Sequence, residues 1–129
     1  MLKRAISTAY YAMFHALCLS NANLVAGQAT DQPTREAWTR TYRSLDHGPA
    51  KDRMARRRSL TEPVLRQFAT VFALLQEQRQ NADYDPHSMY LREQVVTLID
   101  LAESATERLM TTAATVRRPL AAVVLLRER

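Results

Sequence analysis

Apolar residues recur along much of the chain every three or four positions, which is the spacing of one face of an α-helix. The first run predicts a helix over residues 2–22. Its stripe consists of Ile6, Tyr10, Met13, Leu17 and Leu24, with Phe14 and Cys18 beside it. A second face is built of small residues, Ala5, Ala9, Ala12 and Ala16. Another helix can pack closely there. Since no capping residue precedes the run, we expect an earlier start codon or a helix upstream.

The second predicted helix covers residues 35–46. Its apolar side consists of Trp38, Tyr42 and Leu45. Thr34 is placed to cap its start, and Gly48-Pro49 is placed to end it, because glycine often follows the last helical turn and proline cannot continue it. The basic stretch at 50–58 is predicted to form a linker or a short helical turn.

The third predicted helix begins at Ser59 or Thr61 and ends near Gln80. Glu62 is placed for a favourable charge interaction with its amino-terminal end. Val64, Leu65, Phe68, Val71, Phe72 and Leu75 form its apolar stripe. We expect Pro86 to stop it, because the residue before a proline disfavours helical geometry.

The fourth predicted helix is capped by Ser88 and extends to about residue 116, with Pro119 as its stop. Leu91, Val95, Leu98, Ile99, Ala102, Leu109 and Val116 form its stripe. The apolar run at 120–126 is too short to assign by periodicity, so a final helical turn and a docked strand both stay open.

These elements predict an all-α fold, an antiparallel bundle of four main helices plus a short C-terminal element. Residues 1–129 are expected to form a single domain, with 117–129 as its tail. Two glycines in 129 residues leave few positions for the β-hairpin turns of a sandwich or barrel.

The use of cysteine and the polarity of the first helix bear on the compartment. The single cysteine, Cys18, excludes an intrachain disulfide framework and is predicted to lie in the core. Residues 5–30 carry no charge but contain too many polar side chains for a membrane-spanning helix. We therefore expect a cytoplasmic protein without a membrane segment.

The net charge of +5 is concentrated in short blocks. Residues 51–58 carry five basic side chains and one acidic one, whereas 59–116 carry four and eight. Clustered arginine is typical of a surface that binds phosphate groups, although a solvated basic loop has the same composition. The predicted nucleic-acid contacts are Arg43, Lys51, Arg53, Arg56, Arg57 and Arg58.

One candidate site lies at the end of the second predicted helix. Arg40 and His47 are seven residues apart, which places them on nearly the same face of a continuous helix, with Arg43 between them. A histidine can move a proton to or from a ribose hydroxyl, and arginine can stabilise charge on a phosphate. The alternative is structural, because basic side chains favour the carboxyl-terminal end of a helix.

A second candidate site lies in the segment RQNADYDP at 79–86. Arg79 and Asp83 are four residues apart, so an ion pair across one helical turn is expected. Tyr84 is either a packing residue at the corner between two helices or a hydroxyl offered to solvent. His87 follows this segment directly. The histidines fall on different predicted elements, so we predict neither a metal site nor a cofactor.

The segment RAISTAYYAMFHAL at 4–17 and the RQNADYDP corner together resemble the bacterial branch of the HEPN superfamily (higher eukaryotes and prokaryotes nucleotide-binding). The resemblance extends over most of residues 2–116. It implies an all-α bundle that usually forms a homodimer. Many members are metal-independent endoribonucleases of toxin–antitoxin, CRISPR-linked and antiphage systems. Some pair with a small nucleotidyltransferase that modifies a tyrosine near the catalytic motif.

Active members of that superfamily carry an arginine followed, after four to six residues, by a histidine near the start of the last long helix. Here Arg79 is present, but the expected window holds Tyr84, Asp85 and Pro86, and His87 lies one step beyond it. Three alternatives follow. The chemistry is lost, His87 or Tyr84 works with Arg79 at a shifted spacing, or the site has moved to Arg40 and His47.

Two functions are therefore predicted. The first is a dimeric domain that binds RNA or a nucleotide, with ribonuclease or toxin activity as its catalytic form. The second is a non-catalytic interaction module that docks a nucleotidyltransferase or another protein of a defence or toxin–antitoxin system. A helical scaffold dimer without a role in nucleic-acid binding is the plain alternative.

Overall fold

The computed structural model describes residues 2–27, 31–56, 60–87 and 89–126. These residues form six helices and no strand, which confirms the prediction of an all-α fold. The prediction of four main helices and a short C-terminal element differs from the six helices observed among them. The helices are α1 (Leu2–Ala26), α2 (Gln32–Arg43), α3 (His47–Arg56), α4 (Pro63–Tyr84), α5 (Arg92–Met110) and α6 (Ala114–Leu125).

Helix α1 is the centre of the fold and packs against α2, α4, α5 and α6. Most of its predicted stripe is buried: Ile6, Tyr10, Met13 and Leu17 are fully removed from solvent, whereas Leu24 is half-buried. Phe68 and Phe72 of α4 complete the middle of the core. The alanine face of α1 lies along α5, as its small side chains predict, and Ala5, Ala9 and Ala12 share a groove with Ile99 and Ala102.

Helix α1 extends four residues beyond its predicted end at residue 22. The two asparagines on either side of that residue do not stop it, because each has a role in the fold: Asn21 is buried, and Asn23 accepts a hydrogen bond of 2.9 Å from the Trp38 indole. The helix ends at Ala26, and Gly27 follows with a φ of +67°. Glycine adopts that left-handed conformation without steric cost.

The predicted helix over 35–46 is wrong at both ends. Helix α2 begins at Gln32, where the Asp31 carboxylate accepts a hydrogen bond of 2.8 Å from the Thr34 N–H. It ends at Arg43, so Asp31 rather than Thr34 is the cap.

Gly48-Pro49 begins a new helix instead of ending the previous one. Proline is tolerated in a first helical turn, because the N–H that it lacks has no partner there. The basic stretch that follows is therefore part of α3 and is not a linker, and Ala50 and Met54 bury one side of it.

Helix α4 begins at Pro63, with Glu62 as its N-cap and no side-chain capping bond. Of the two predicted start residues, Ser59 lies outside the described residues and Thr61 lies just before the cap. The helix continues past Gln80 to Tyr84. It stops where Pro86 requires, since Asp85 adopts an extended conformation with φ −103° and ψ 106°.

The fourth predicted helix is divided into α5 and α6. The predicted cap Ser88 lies outside the described residues, and α5 begins only at Arg92. It ends at Met110, where the hydroxyls of Thr111 and Thr112 donate to the carbonyl oxygens of Glu107 and Arg108 at 2.9 and 2.6 Å. Such side-chain bonds compete with continuation of the helix.

The prediction that Pro119 stops the fourth predicted helix is wrong, because that helix already ends at Met110. Pro119 lies inside α6, and the apolar run after it is helical. An interior proline costs about 3 kcal/mol, but Leu120, Ala121 and Val124 bury their side chains in return. The segment predicted as a tail thus belongs in part to the core.

Among the described helices, none combines the length and the apolar character that a membrane crossing requires.

Candidate functional site

A row of polar side chains follows one face of α1 at a spacing of four residues: Lys3, Ser7, Tyr11 and His15. Positions four apart lie above one another on a helix. The carboxyl-terminal half of α4 lies against the first three of them. There the Lys3 ammonium donates to the Asp85 carbonyl at 3.3 Å and the Ser7 hydroxyl donates to Asp83 Oδ1 at 3.1 Å.

Arg79 of α4 is the cation of this region. Its Nη1 donates to the Tyr11 hydroxyl at 3.1 Å and to Asp83 Oδ2 at 3.4 Å, which confirms the predicted ion pair. Its guanidinium carbon lies 5.1 Å from the centre of the Tyr10 ring and 5.5 Å from that of Tyr11. Nε is buried without a hydrogen-bond partner among the described residues. The aromatic rings and Asp83 therefore hold the guanidinium in place.

His47 approaches the same two tyrosines from α3. Its ring stacks on Phe14 with centroids 3.7 Å apart, and its Nδ1 lies 2.6 Å from the Tyr10 hydroxyl. The Tyr11 ring meets it edge-on at 5.6 Å. The Gln76 side chain of α4 donates to the His47 carbonyl at 3.3 Å, which ties the start of α3 to the bundle.

The surroundings of His47 favour its neutral form. Desolvation by burial and the nearby Arg79 guanidinium lower the pKa of His47 below its ordinary value, and Asp46 acts in the opposite direction with a smaller effect. Burial raises the pKa of Tyr10 well above that of a free phenol. At neutral pH the Arg79 guanidinium of this site therefore lies beside a neutral His47 imidazole and the neutral Tyr10 phenol.

The structure brings together one residue from each of the two predicted sites. Arg79 and His47 both lie against the rings of Tyr10 and Tyr11. Arg40 and Arg43 are exposed on α2. The predicted common face of Arg40 and His47 does not exist, because the chain leaves α2 after Arg43 and starts a new helix at His47.

Tyr84 and His87 lie at the end of α4 and are exposed to solvent. Tyr84 is 76% exposed, so it is the hydroxyl offered to solvent and not the packing residue of the two alternatives. The backbone N–H of His87 donates to Asp85 Oδ1 at 2.9 Å in the turn after the helix.

The side chains of the basic stretch at 50–58 differ in their contacts. Lys51 and Arg56 lie on α3 with partly or fully exposed side chains. Arg53 instead donates to the Val124 carbonyl at 2.6 Å and thereby joins α3 to the end of α6. Arg57 and Arg58 lie outside the described residues.

Sequence reasoning missed Tyr10, Tyr11 and Ser7 as members of this site. The available signal was the polar row along an otherwise apolar helix. A tyrosine pair reads equally well as core, and Tyr10 is in fact fully buried.

No group of histidine, cysteine and carboxylate side chains suited to a metal ion occurs in the described part of the chain. Cys18 is buried as predicted, and burial raises the pKa of its thiol to about 11, which makes it a poor nucleophile.

Chemically, the site presents a fixed guanidinium, an imidazole and a phenol hydroxyl beside one another, with a lysine nearby. These are hydrogen-bond donors of the kind that bind a phosphate group. Comparison of the chain with family models, with curated proteins and with solved structures finds no match.

Proposed function

We propose that this chain is a dimeric RNA-binding domain in which Arg79, His47 and Tyr11 hold a phosphate group of the RNA backbone. The observation that carries the proposal is the meeting of Arg79 and His47 over the two tyrosines of α1. Three helices supply one donor each, so the donors keep their mutual positions when the ligand is absent. Such preorganisation favours binding because little side-chain entropy is lost.

Charge near this site supports a polyanionic ligand. His47 begins α3, and Lys51 and Arg56 follow on the same helix. These side chains add phosphate contacts that do not depend on base sequence. RNA affinity should therefore fall steeply as salt is raised, because bound cations are released from the backbone.

The resemblance to HEPN domains favours RNA over other polyanions and is the reason for proposing a homodimer, with metal-independent cleavage and a toxin role as the catalytic extension. Arg79 is the phosphate-binding group in every form of the proposal. Among the candidate partners from the sequence, His47 contacts the same tyrosines as Arg79, whereas Tyr84 and His87 lie at the exposed end of α4.

The test is binding of a labelled single-stranded RNA in EDTA over a series of salt concentrations. Arg79→Ala should weaken binding about tenfold and reduce the slope of log affinity against log salt by about one. His47→Ala should weaken binding about fivefold, the effect of losing one hydrogen bond. Arg66→Ala is the matched control, since Arg66 is an exposed arginine on the same helix as Arg79.

Equal effects of Arg79→Ala and Arg66→Ala would show that only net charge matters and would contradict the proposed site. An absence of RNA binding at low salt would contradict the proposed function altogether. Gel analysis of the same samples reads out cleavage, and sedimentation of the free protein reads out the dimer.

A second function is favoured by the exposure of Tyr84. Its hydroxyl lies at the end of α4, one helical turn beyond the Arg79 region, where a protein partner has free access. In this form the chain is an interaction module whose Tyr84 hydroxyl is modified by a partner nucleotidyltransferase. With ATP, the Tyr84 oxygen would take the AMP group and release pyrophosphate. Mass spectrometry after incubation with such an enzyme should therefore show one added AMP, and Tyr84→Phe should prevent it. Addition that persists in Tyr84→Phe would contradict this function.

A further inference from the structure

The Tyr10 hydroxyl is removed from water at the centre of the fold. The side chain is fully buried, and the rings of Phe14, Phe72 and Tyr11 lie within 6.4 Å of its own. A buried hydroxyl that donates no hydrogen bond costs about 1–3 kcal/mol. The His47 Nδ1 atom, 2.6 Å from the hydroxyl oxygen, is an acceptor at short range.

The direction of this hydrogen bond follows from the chemistry of the two groups. Tyr10 keeps its proton at neutral pH, because burial raises its pKa. If His47 Nδ1 carried a proton and donated to the phenol oxygen, the phenol proton would have to point towards the surrounding aromatic rings and away from its nearest nitrogen acceptor. With Tyr10 as the donor, Nδ1 is the acceptor, and the neutral ring then carries its proton on Nε2.

The charged and titratable groups around His47 keep the ring neutral. Arg79 faces it from α4, and His15 and Tyr11 face it from α1. Asp46, directly before α3, is the acidic group that favours protonation, and its effect is smaller than that of burial and Arg79. Neutral His47 therefore has both ring nitrogens assigned, Nδ1 to Tyr10 and Nε2 to its own proton.

We propose that Tyr10 is a positioning residue that holds His47 in the Nε2–H tautomer, so that the imidazole donates a hydrogen bond to a phosphate oxygen and does not accept a proton from a ribose hydroxyl. The phosphate part of this statement rests on the proposed function, whereas the tautomer is a property of the free protein. Since the basic lone pair on Nδ1 is occupied by the Tyr10 proton, His47 binds RNA without serving as the general base of its cleavage.

The first experiment measures the tautomer without RNA. Side-chain ¹⁵N spectra of His47 are recorded at pH 8 for the wild type and for Tyr10→Phe, which removes one oxygen atom and keeps the ring. The wild type should show a protonated Nε2 and an Nδ1 shifted towards a hydrogen-bonded acceptor. In Tyr10→Phe the Nδ1 resonance should move towards that of an unbonded acceptor, and the second tautomer should become populated.

A wild-type spectrum with the proton on Nδ1 would overturn the proposal. So would an Nδ1 resonance that is unchanged in Tyr10→Phe, provided that circular dichroism shows the variant to be folded. His87 is the internal reference, because its exposed ring should give the same spectrum in both proteins.

The second experiment measures RNA affinity for two substitutions of His47. Glutamine carries an amide N–H₂ near the place of Nε2, and leucine carries no donor. His47→Gln should weaken binding about twofold and His47→Leu about fivefold, since a neutral hydrogen bond contributes on the order of 1 kcal/mol. Equal loss in both would contradict the donor role of Nε2. The tautomer measurement would be unaffected, so failure of the phosphate site and failure of the Tyr10 assignment are distinguishable.

Discussion

On α4 the Arg79 guanidinium lies 3.4 Å from the carboxylate of Asp83, one helical turn further along the chain. The other carboxylate oxygen of Asp83 accepts a hydrogen bond of 3.1 Å from Ser7 on α1. Asp83 is thereby held at the side of the cation. In our proposal a phosphate of the RNA must share Arg79 with this carboxylate, so Asp83 opposes binding.

Asp83→Asn should therefore raise RNA affinity, by about threefold to tenfold at low salt, because it removes an anion in contact with Arg79. The free energy of unfolding should fall by no more than about 0.5 kcal/mol, the value of a pair at this spacing. RNA titration and urea unfolding measure the two effects. Asp100→Asn is the control, since Asp100 is exposed on α5. An equal gain from both substitutions would indicate a dependence on net charge alone.

The lowered pKa of His47 predicts a pH dependence of stability. A folded-state pKa below the ordinary value of about 6.5 means that the unfolded chain binds a proton more readily. The contribution of His47 to stability is then fully present above the unfolded-state pKa. It is lost as the pH falls through that value towards the folded-state pKa.

Urea unfolding of the wild type and of His47→Gln between pH 8 and pH 5 measures this effect. The stability difference between the two proteins should be largest at pH 8 and should shrink towards pH 5. His87→Gln, at an exposed position, is the control for the loss of a histidine. A wild-type advantage that grows in acid would contradict the prediction.

The two glycines of the chain should respond unequally to alanine. Gly27 has a φ of +67°, and an added methyl group would meet nothing within 4 Å at either glycine. Gly27→Ala should lower the free energy of unfolding by about 1 kcal/mol, the cost of a left-handed conformation for an L-residue. Gly48→Ala should change it by less than about 0.5 kcal/mol, because the gain in helix propensity is opposed by the clash of the new Cβ with the ring of Pro49. Thermal unfolding of both variants measures this contrast.

Two arginines of α3 should separate stability from RNA binding. Arg53→Ala removes the hydrogen bond to the Val124 carbonyl and should cost about 1–2 kcal/mol of stability. Arg56→Ala should change stability by less than about 0.5 kcal/mol, since its side chain is exposed, and should lower RNA affinity at all sequences equally. Urea unfolding and RNA titration of both variants test this division of roles. A larger loss of stability in Arg56→Ala than in Arg53→Ala would contradict it.

Apolar spacing was enough to predict the helical class and the buried faces of α1 and α4, because those faces depend on side-chain periodicity. It was not enough to predict the helix ends. Local sequence rules predict helix stops at Gly48-Pro49 and at Pro119, yet both lie inside helices. Pro49 is tolerated because the N–H groups of a first helical turn have no partner within the helix. At Pro119, burial of the apolar side chains that follow it offsets the cost of an interior proline. Local propensity cannot weigh such tertiary gains.

Two members of the candidate site, Arg79 and His47, were predictable from the sequence, whereas their pairing over Tyr10 and Tyr11 was not. Arg79 and His47 were both singled out, but each was assigned to a different partner along the chain. Their common neighbours are Tyr10 and Tyr11, 37 and 36 positions before His47, and only the packing of the helices on α1 brings them together. Spacing within one helix has no access to such contacts.

Helix α2 is attached to the rest of the molecule differently from the other helices. None of its residues is buried, and its contacts with α1 include hydrogen bonds from Trp38 to Asn23 and between Tyr42 and His15. Few buried apolar contacts mean a low free energy of local opening. We therefore expect the amides of α2 to exchange with deuterium long before those of α1. Opening of this helix would break the hydrogen bond between Tyr42 and His15 while the core around α1 stays closed.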